Sequence, residues 1–315
     1  MTVGEARPSW RYIWGDYVAL SYTWGEPSWT TQILVNGHRV VVQSNLEASL
    51  RQFARKAVMQ TRLWIWIDAI CINQADLAER QREVPRMRSI YKTAREIVVW
   101  LGEEADKSDL AIRLIRKMAE SCQKDTIMLL GQDLRAHPDL FGAGCWLGLA
   151  LLMSRPYWRR VWIMQEIAMG NAATTFLCGR EVATWSDFYD AIYTFTNSHL
   201  DMVSRYVEKG YRDAGASGIQ GLNRNRITQL TSEQKIQATD PEHIHPSLMP
   251  LLDIARSSMA TDPRDRVYGI LGLMPGAFRE VIKVDYTLPV TEVYTCFARS
   301  MITESKSPSK DALMA

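Results

Sequence analysis

A carboxylate and two guanidinium groups occur close together in residues 159–166, which read Arg-Arg-Val-Trp-Ile-Met-Gln-Glu. If this stretch is helical, Trp162 and Glu166 share one face, because residues four apart on a helix are neighbours. A carboxylate among apolar residues is costly to bury unless it is paired or takes part in chemistry. Two interpretations therefore stay open: Glu166 acts on a ligand, or it forms an ion pair with one of three arginines, Arg155, Arg159 or Arg160.

A second carboxylate, Asp68, directly follows five apolar residues, 63–67, which read Leu-Trp-Ile-Trp-Ile. Such a run is typical of a strand that is buried on both faces inside a parallel sheet, and it predicts the central strand of that sheet. Open α/β sheets contact their ligands at the carboxyl ends of strands, which favours a ligand-contacting Asp68. The alternative is that Asp68 caps the next turn through backbone N–H groups.

The residues at the end of the first predicted strand, Tyr17–Tyr22, form a third candidate region. The strand leads into Thr-Trp-Gly, and Gly25 permits backbone torsions that other residues avoid. The Trp24 ring is suited to stacking on a ring ligand, and equally to filling the core or contacting a partner.

Several kinds of site have no support in the sequence. It contains no Gly-rich dinucleotide or phosphate loop, no Gly-x-Ser-x-Gly and no His-Glu-x-x-His. His243 and His245 form the one close histidine pair, but no cysteine lies nearby, so no metal site is predicted. Five scattered cysteines predict reduced thiols in an intracellular, cytoplasmic protein, with Cys71 as a packed apolar residue.

The overall charge and hydropathy limit the classes of partner. Lys and Arg number 37 against 35 Asp and Glu, a net charge of +2, which favours neither nucleic-acid nor membrane-surface binding. No apolar run approaches the ~20 residues of a membrane-spanning helix, so no span is predicted.

The order of predicted elements is strand, hairpin, helix, strand, helix, strand, helix. This alternation predicts an α/β domain with a central, mostly parallel sheet flanked by helices. Asn36-Gly37 predicts the turn of an inserted β-hairpin. Asp76 is a predicted cap of a helix that Pro85 should kink or split. Further on, a helix is predicted over 157–169 and a strand over 281–286.

The domain organisation follows from changes in composition. We predict an α/β domain over 13–200 and a polar insertion or mobile loop over 201–247. A helical C-terminal extension packing on the core is expected over 248–304, followed by a frayed tail over 305–315.

Three motifs occur in an order that resembles the fungal heterokaryon incompatibility (HET) domain. Tyr17–Gly25 resembles its opening motif, Trp66–Gln74 its second motif, and Arg159–Ile167 its third. Residues 262–268 and 284–286 resemble segments that often follow the domain in longer members. The resemblance is close over 17–180 and looser over 248–300.

The resemblance implies a function in regulated cell death or growth arrest when genetically different fungal hyphae fuse. The HET domain is also distantly similar to Toll/interleukin receptor (TIR) domains, which have a flavodoxin-like sheet and in some cases hydrolyse NAD. Their catalytic Glu lies four residues after a Trp, which places Glu166 in that role, although Ile163 stands where TIR domains have Cys.

By the same comparison, NAD is the implied substrate and no bound cofactor is expected. The substrate-binding residues that this implies are Ser21, Tyr22, Trp24, Gly25, Asp68, Arg159, Arg160 and Trp162. The alternative function is a non-enzymatic signalling module that works by self-association or by nucleotide binding.

Overall fold

The computed structural model describes residues 15–55, 64–123, 143–197 and 249–306, together with positions 230 and 232. Within these residues the strands form two sheets. The strands are β1 (Tyr17–Tyr22), β2 (Thr30–Val35), β3 (His38–Gln43), β4 (Trp64–Trp66), β5 (Glu96–Trp100), β6 (Thr175–Cys178) and β7 (Glu181–Thr184).

The helices of the described residues flank the larger sheet or extend beyond it. They are α1 (Ser44–Arg55), α2 (Asp68–Cys71), α3 (Leu77–Glu83), α4 (Met87–Thr93), α5 (Ser108–Gln123), α6 (Ala143–Ser154), α7 (Ile163–Ala168), α8 (Trp185–Asn197), α9 (Met249–Ser257), α10 (Asp265–Leu271), α11 (Gly276–Val281) and α12 (Val290–Lys306). Short 3-10 turns cover Val84–Arg86 and Pro156–Arg159.

The larger sheet has the strand order β4-β1-β5-β6-β7. Its first four strands are parallel and β7 runs antiparallel to β6, which confirms the predicted α/β class with a mostly parallel sheet. From β1 the chain moves outward to β4 and then returns to the other side of β1 to form β5. The winding therefore reverses between β1 and β5, and a crevice at the carboxyl ends of such strands is where open sheets bind ligands.

The core lies on both sides of this sheet because its interior strands are apolar on both faces. Tyr17, Ala19 and Val99 belong to the larger apolar cluster, which includes α5, α6 and α7. Val18 and Val98 belong to the smaller cluster beneath α1.

The predicted position of the strand over 63–67 is wrong. This strand, β4, lies at the edge of the sheet rather than at its centre, and Trp64 is 51% exposed. A run of apolar residues does not distinguish an edge strand from a central one when helices cover its faces. The interior positions are taken by β1, β5 and β6.

The predicted hairpin is confirmed. β2 and β3 pair antiparallel around Asn36 and Gly37, whose φ angles are 52° and 82°. Positive φ at both turn positions is the requirement of a type I′ turn, and Asn-Gly meets it at low cost. The hairpin forms a sheet of its own and leads directly into α1.

The segment that follows the second motif folds locally as predicted. The Asp76 side chain accepts hydrogen bonds from the backbone N–H groups of Ala78 and Glu79, which caps α3. Pro85 then interrupts the helix, and the 3-10 turn that contains it separates α3 from α4.

The single helix predicted over 157–169 is wrong. Arg160 is extended, with φ −67° and ψ 139°, and it separates a 3-10 turn from α7. The reason is a tertiary contact: the Met259 N–H donates to the Arg159 carbonyl at 2.6 Å, and the Val161 N–H donates to the Met259 carbonyl at 3.1 Å. These bonds replace the hydrogen bonds that a continuous helix would make.

The strand predicted over 281–286 is also wrong. α11 ends at Val281, and residues 282–285 have no regular structure. The alternating apolar residues there pack on helices instead, because Ile282 and Tyr286 belong to the main core cluster.

The helical character predicted for 248–304 is present in α9 to α12, and α10 packs against α7. The predicted insertion over 201–247 lies outside the described residues, except for positions 230 and 232. The part of the predicted tail beyond 306 also lies outside them. None of the described helices is long and apolar enough to cross a membrane.

Candidate functional site

Three elements bring their polar side chains together at the carboxyl edge of the sheet. Ser21 and Tyr22 end β1, Asp68 follows the neighbouring strand β4, and Glu166 lies on α7. Because β1 and β4 are parallel neighbours, their carboxyl ends meet at one edge, which explains how residues far apart in the chain converge there.

Glu166 is held in a buried ion pair. Its side chain is 2% exposed, and the Arg160 guanidinium lies 3.4 Å from each of its two carboxylate oxygens. The Ser21 hydroxyl donates a short hydrogen bond to Glu166 Oε2 and lies 2.8 Å from the Tyr157 hydroxyl. The ion-pair interpretation of Glu166 is therefore confirmed with Arg160 as the partner, and its catalytic role stays a prediction.

Asp68 is tied to the loop after β1 and to the turn that it begins. The Trp24 indole N–H donates to Asp68 Oδ2 at 2.9 Å, and the Ala69 N–H donates to Oδ1 at 2.7 Å. Gln74 closes the same turn by donating to the Asp68 carbonyl at 3.1 Å. Asp68 thus orders this turn, which is one of its two expected roles.

Burial dominates the electrostatics of the two carboxylates. It raises the pKa of Glu166 and of Asp68, although the positive charge of Arg160 opposes the shift in both groups. Burial, and next the charge of Asp68, raise the pKa of the Tyr22 phenol far above its usual range. The Tyr22 hydroxyl is buried and makes no hydrogen bond of ordinary geometry with the described residues.

The positive charge of Arg160 acts on both carboxylates, while the burial of Glu166 and the repulsion between Glu166 and Asp68 disfavour full ionisation of both. Strongly perturbed carboxyl groups of this kind, close to a ligand-binding edge, are typical of functional sites, although structural ion pairs also produce them.

Two predicted substrate contacts lie outside this cluster. The Trp162 indole N–H donates to Asp265 Oδ2 at 3.4 Å, so its polar edge faces the C-terminal segment. Arg159 is exposed, and its carbonyl accepts from Met259. The predicted glycine torsion is confirmed at Gly25, which has φ 91° beside Trp24.

Two tyrosines of the cluster were not predicted from the sequence. Tyr157 contacts Ser21, and the Tyr91 hydroxyl donates to the Leu20 carbonyl at 3.1 Å. Burial, and next the charge of Glu166, raise the pKa of Tyr91 well above its usual range. Neither tyrosine has neighbours in the sequence that distinguish it from an ordinary core residue.

Arg155, one of the three expected partners of Glu166, binds elsewhere. It donates to the carbonyls of Leu101 at 2.9 Å and Glu103 at 3.1 Å, and to Cys178 Sγ at 3.2 Å. Arg155 therefore holds the loop that follows β5. This strand lies on the opposite side of β1 from β4, which precedes Asp68.

The described residues contain no group of three or more His, Cys, Asp or Glu placed to hold a metal ion. All five cysteines are free thiols, and Cys71 is exposed, contrary to its predicted packing.

Comparison with known proteins gives one family and one curated relative. Residues 17–166 match the family described as "Heterokaryon incompatibility protein (HET)". The chain is 27% identical over 336 aligned positions to "Heterokaryon incompatibility protein 6, OR allele" of Neurospora crassa. The alignment covers 92% of this chain and 48% of the relative, so the chain spans about half the relative's length. No solved structure matches the chain.

Proposed function

We propose that this chain acts in fungal heterokaryon incompatibility as an effector of growth arrest or cell death. The premise is that it carries a HET domain over residues 17–166. The family match and the incompatibility protein of Neurospora crassa support this assignment, and so does the order of the three motifs along the chain.

The topology supports a flavodoxin-like, and in that sense TIR-like, fold for the domain. Numbered along the chain, the four parallel strands lie in the order 2-1-3-4, which is how flavodoxin-like doubly wound sheets begin. Such sheets bind nucleotides at the carboxyl edge beside their first strand, where Glu166 and Asp68 lie.

The biochemical activity that we propose is hydrolysis of the nicotinamide–ribose bond of NAD at Glu166. The observation that carries it is a carboxylate of raised pKa, 2% exposed, hydrogen-bonded to Ser21 and Arg160 at the ligand-binding edge of the sheet. Burial of a charged group of this kind costs stability unless an ion pair compensates for it. Such a group can also be retained because the function needs it.

The bond between ribose C1′ and the nicotinamide nitrogen breaks, and its electron pair leaves with neutral nicotinamide. Water then adds to C1′ and loses a proton, which gives ADP-ribose. The transition state carries positive charge on the ribose, as in glycoside hydrolysis, and a carboxylate such as Glu166 stabilises it. Arg160 provides the guanidinium that pairs well with phosphate, and Trp24 provides a ring for stacking.

Access to Glu166 requires the turn that carries Arg160 to move. Because Arg160 covers both oxygens of Glu166, the guanidinium has to leave the carboxylate when a substrate enters. Transfer of Arg160 from Glu166 to a substrate phosphate exchanges one anionic partner for another, which limits the electrostatic cost of opening.

The test is to incubate the purified chain with NAD and to follow nicotinamide release, comparing wild type with Glu166→Gln. Glu83→Gln is the matched control, because Glu83 is also buried and paired, with Arg86 at 2.9 Å, but lies on α3. We expect release that Glu166→Gln abolishes and Glu83→Gln retains. Absence of release from folded wild type, or its persistence in Glu166→Gln, contradicts the proposed activity.

A second candidate function is signalling by self-association of two copies, without catalysis. The observation that favours it is a set of exposed apolar side chains: Trp29 just before the hairpin, Leu34 and Val41 on the hairpin, and Trp64 on the edge strand β4. Exposed large apolar side chains that gather in one patch are typical of interaction surfaces, and Leu34 and Val41 belong to the same two-stranded sheet.

Light scattering of wild type and of Leu34→Glu tests this second candidate, because Leu34 is 72% exposed and its replacement should not disturb the core. Leu77→Glu, at an exposed position on α3, is the control. A wild type that is monomeric at all concentrations, or a Leu34→Glu variant that associates as wild type does, contradicts it.

A further inference from the structure

The turn that carries Arg160 and Glu166 is held by a segment that comes much later in the chain, residues 258–272. This segment lies outside the range 17–166 that matches the HET family. Its first contact is with the backbone on both sides of Arg160. The Val161 N–H donates to the Met259 carbonyl at 3.1 Å, and the Met259 N–H donates to the Arg159 carbonyl at 2.6 Å. The backbone of Arg160 is thereby fixed in its extended conformation.

The second contact fixes the residue that begins α7. The Trp162 indole N–H donates to Asp265 Oδ2 at 3.4 Å, while the Tyr286 hydroxyl donates to Asp265 Oδ1 at 2.7 Å. Asp265 is buried, so these two donors satisfy a carboxylate that would otherwise be costly to bury. The start of α7 is therefore tied through Asp265 to the C-terminal part of the chain.

The third contact is a close approach of α10 to the same turn. The Gln165 amide N–H donates to the Tyr268 carbonyl at 3.0 Å. A Cβ added at Gly269 would lie 3.1 Å from Val161 Cγ2, and one added at Gly272 would overlap Gln165 Oε1. The two glycines thus let α10 lie directly against Val161 and Gln165 with no side chain between them.

We infer that residues 258–272 restrain the turn 159–166 in its closed arrangement and so keep Glu166 covered. Glu166 becomes accessible only when Arg160 moves away, and Arg160 cannot move freely while its backbone is paired with Met259. The C-terminal segment is thus a regulatory part of the same site. The effect on NAD hydrolysis rests on the function proposed above, whereas the restraint itself does not.

Gly272→Ala tests the restraint, because the added methyl group displaces Gln165 while the backbone at this position remains acceptable to alanine. The measurement is hydrogen exchange at the Val161 amide, whose acceptor is the Met259 carbonyl. We expect exchange to be faster by roughly fivefold or more, the factor that corresponds to loss of about one net hydrogen bond.

Gly148→Ala is the matched control. A Cβ at Gly148 would overlap the Lys107 carbonyl oxygen, which is a backbone atom, so the steric insult is at least as severe. It falls between α6 and the start of α5, away from the turn. We expect Gly148→Ala to lower the melting temperature and to leave exchange at Val161 unchanged under native conditions.

Asp265→Asn is a milder second variant in case Gly272→Ala does not fold. The Asn amide keeps one accepting oxygen for Trp162 or Tyr286, and its NH2 group can only donate, so the charge-assisted hydrogen bonds to Asp265 are replaced by weaker neutral ones. We expect faster exchange at Val161 in this variant too. Unchanged exchange in both variants, or an equal increase in Gly148→Ala, overturns the inference.

Nicotinamide release separates this inference from the proposed activity. If wild type hydrolyses NAD, the two loosened variants should do so at least about threefold faster, since a larger fraction of molecules has Glu166 uncovered. A variant whose Val161 amide exchanges faster than in wild type but which releases nicotinamide more slowly overturns the regulatory role. If wild type releases no nicotinamide, the proposed activity fails, and the exchange comparison still decides whether the restraint exists.

Discussion

The Trp24 indole N–H donates to the Asp68 carboxylate at 2.9 Å and so joins the first and second sequence motifs through residues 44 positions apart. Trp24 lies just after β1 and Asp68 just after β4, and these strands are parallel neighbours. The hydrogen bond therefore follows from the topology, because the parallel pairing brings the ends of the two strands to the same edge. This hydrogen bond joins the loop and the turn at the edge of the sheet where Glu166 also lies.

Trp24→Phe removes this donor and keeps the ring. A hydrogen bond to a charged acceptor contributes about 1.5–3 kcal/mol, so we expect a loss of stability of that size at pH 7. The loss should be smaller near pH 4 than at pH 7, because the raised pKa of Asp68 makes its carboxyl group take up a proton at a higher pH than an ordinary aspartate does. Urea unfolding at both pH values measures it, with Trp29→Phe as an exposed control. Equal losses at the two pH values contradict this account.

Glu166→Gln should change how stability depends on pH. The pKa of Glu166 is raised in the folded chain, so its contribution to stability is fully present below the pKa of the unfolded state, about 4. That contribution is lost as pH rises through the folded pKa. We therefore expect wild type to lose stability relative to Glu166→Gln between pH 4 and 8. Urea unfolding across this range tests the sign.

Asp262 and Asp285 affect the pH dependence of stability with the opposite sign to Glu166. Their pKa values are lowered in the folded chain by hydrogen bonds from Arg264 and Thr287, respectively. Both groups are unchanged in Glu166→Gln, so their effects cancel in the comparison. If wild type instead gains stability relative to Glu166→Gln as pH rises, the attraction of Arg160 lowers the pKa of Glu166 by more than burial raises it.

Arg160→Met should be strongly destabilising at pH 7. It leaves Asp68 and Glu166 without their shared cation, and removal of one partner of a buried ion pair typically costs about 3–5 kcal/mol. The Arg160 side chain is 17% exposed, so little solvent screening reduces this cost. In the double variant with Glu166→Gln, the loss should be smaller than the sum of the two single losses. Additive losses in this cycle contradict the ion pair.

The elements that followed from the sequence are those whose residues determine their own conformation. Asn36-Gly37 adopts positive φ at both positions, and Asp76 caps its helix locally. The α/β class followed from the alternation of strands and helices. The carboxyl-edge position of Asp68 followed from the abrupt end of an apolar run.

The parts that could not be predicted depend on contacts between distant segments. Arg160 is extended because Met259 pairs with the residues on either side of it, and no feature near Arg160 encodes that partner. The Trp162 side chain contacts Asp265 rather than the Glu166 cluster for the same reason. Position within the sheet was equally inaccessible, since β4 has the composition of an interior strand.

Arg155→Lys should loosen the loop that follows β5. The Arg155 guanidinium donates to three backbone carbonyls, those of Leu101, Glu103 and Ala105, and to the Cys178 thiol. A lysine ammonium keeps the charge but lacks the planar fork of donors, so it cannot reach these acceptors at once. We expect a loss of about 1–3 kcal/mol from carbonyls left without a donor.

Hydrogen exchange and urea unfolding of Arg155→Lys provide the measurement, with Arg113→Lys as the control. Arg113 lies on α5, is half exposed and pairs only with surface carboxylates, Asp109 and Glu181, in the part of the chain that the structure describes. Its replacement should change stability by less than about 0.5 kcal/mol. Faster exchange in residues 103–108 of Arg155→Lys alone is the expected result, because the hydrogen bonds between Ala105 and Ser108, at 3.2 and 2.9 Å, are local. Leu101 and Gly102 should change less, since they keep their backbone hydrogen bonds to Leu177 at 2.8 Å and Gly179 at 2.9 Å. If both variants behave as wild type, the loop is held by the packing of Leu101 in the core and not by Arg155.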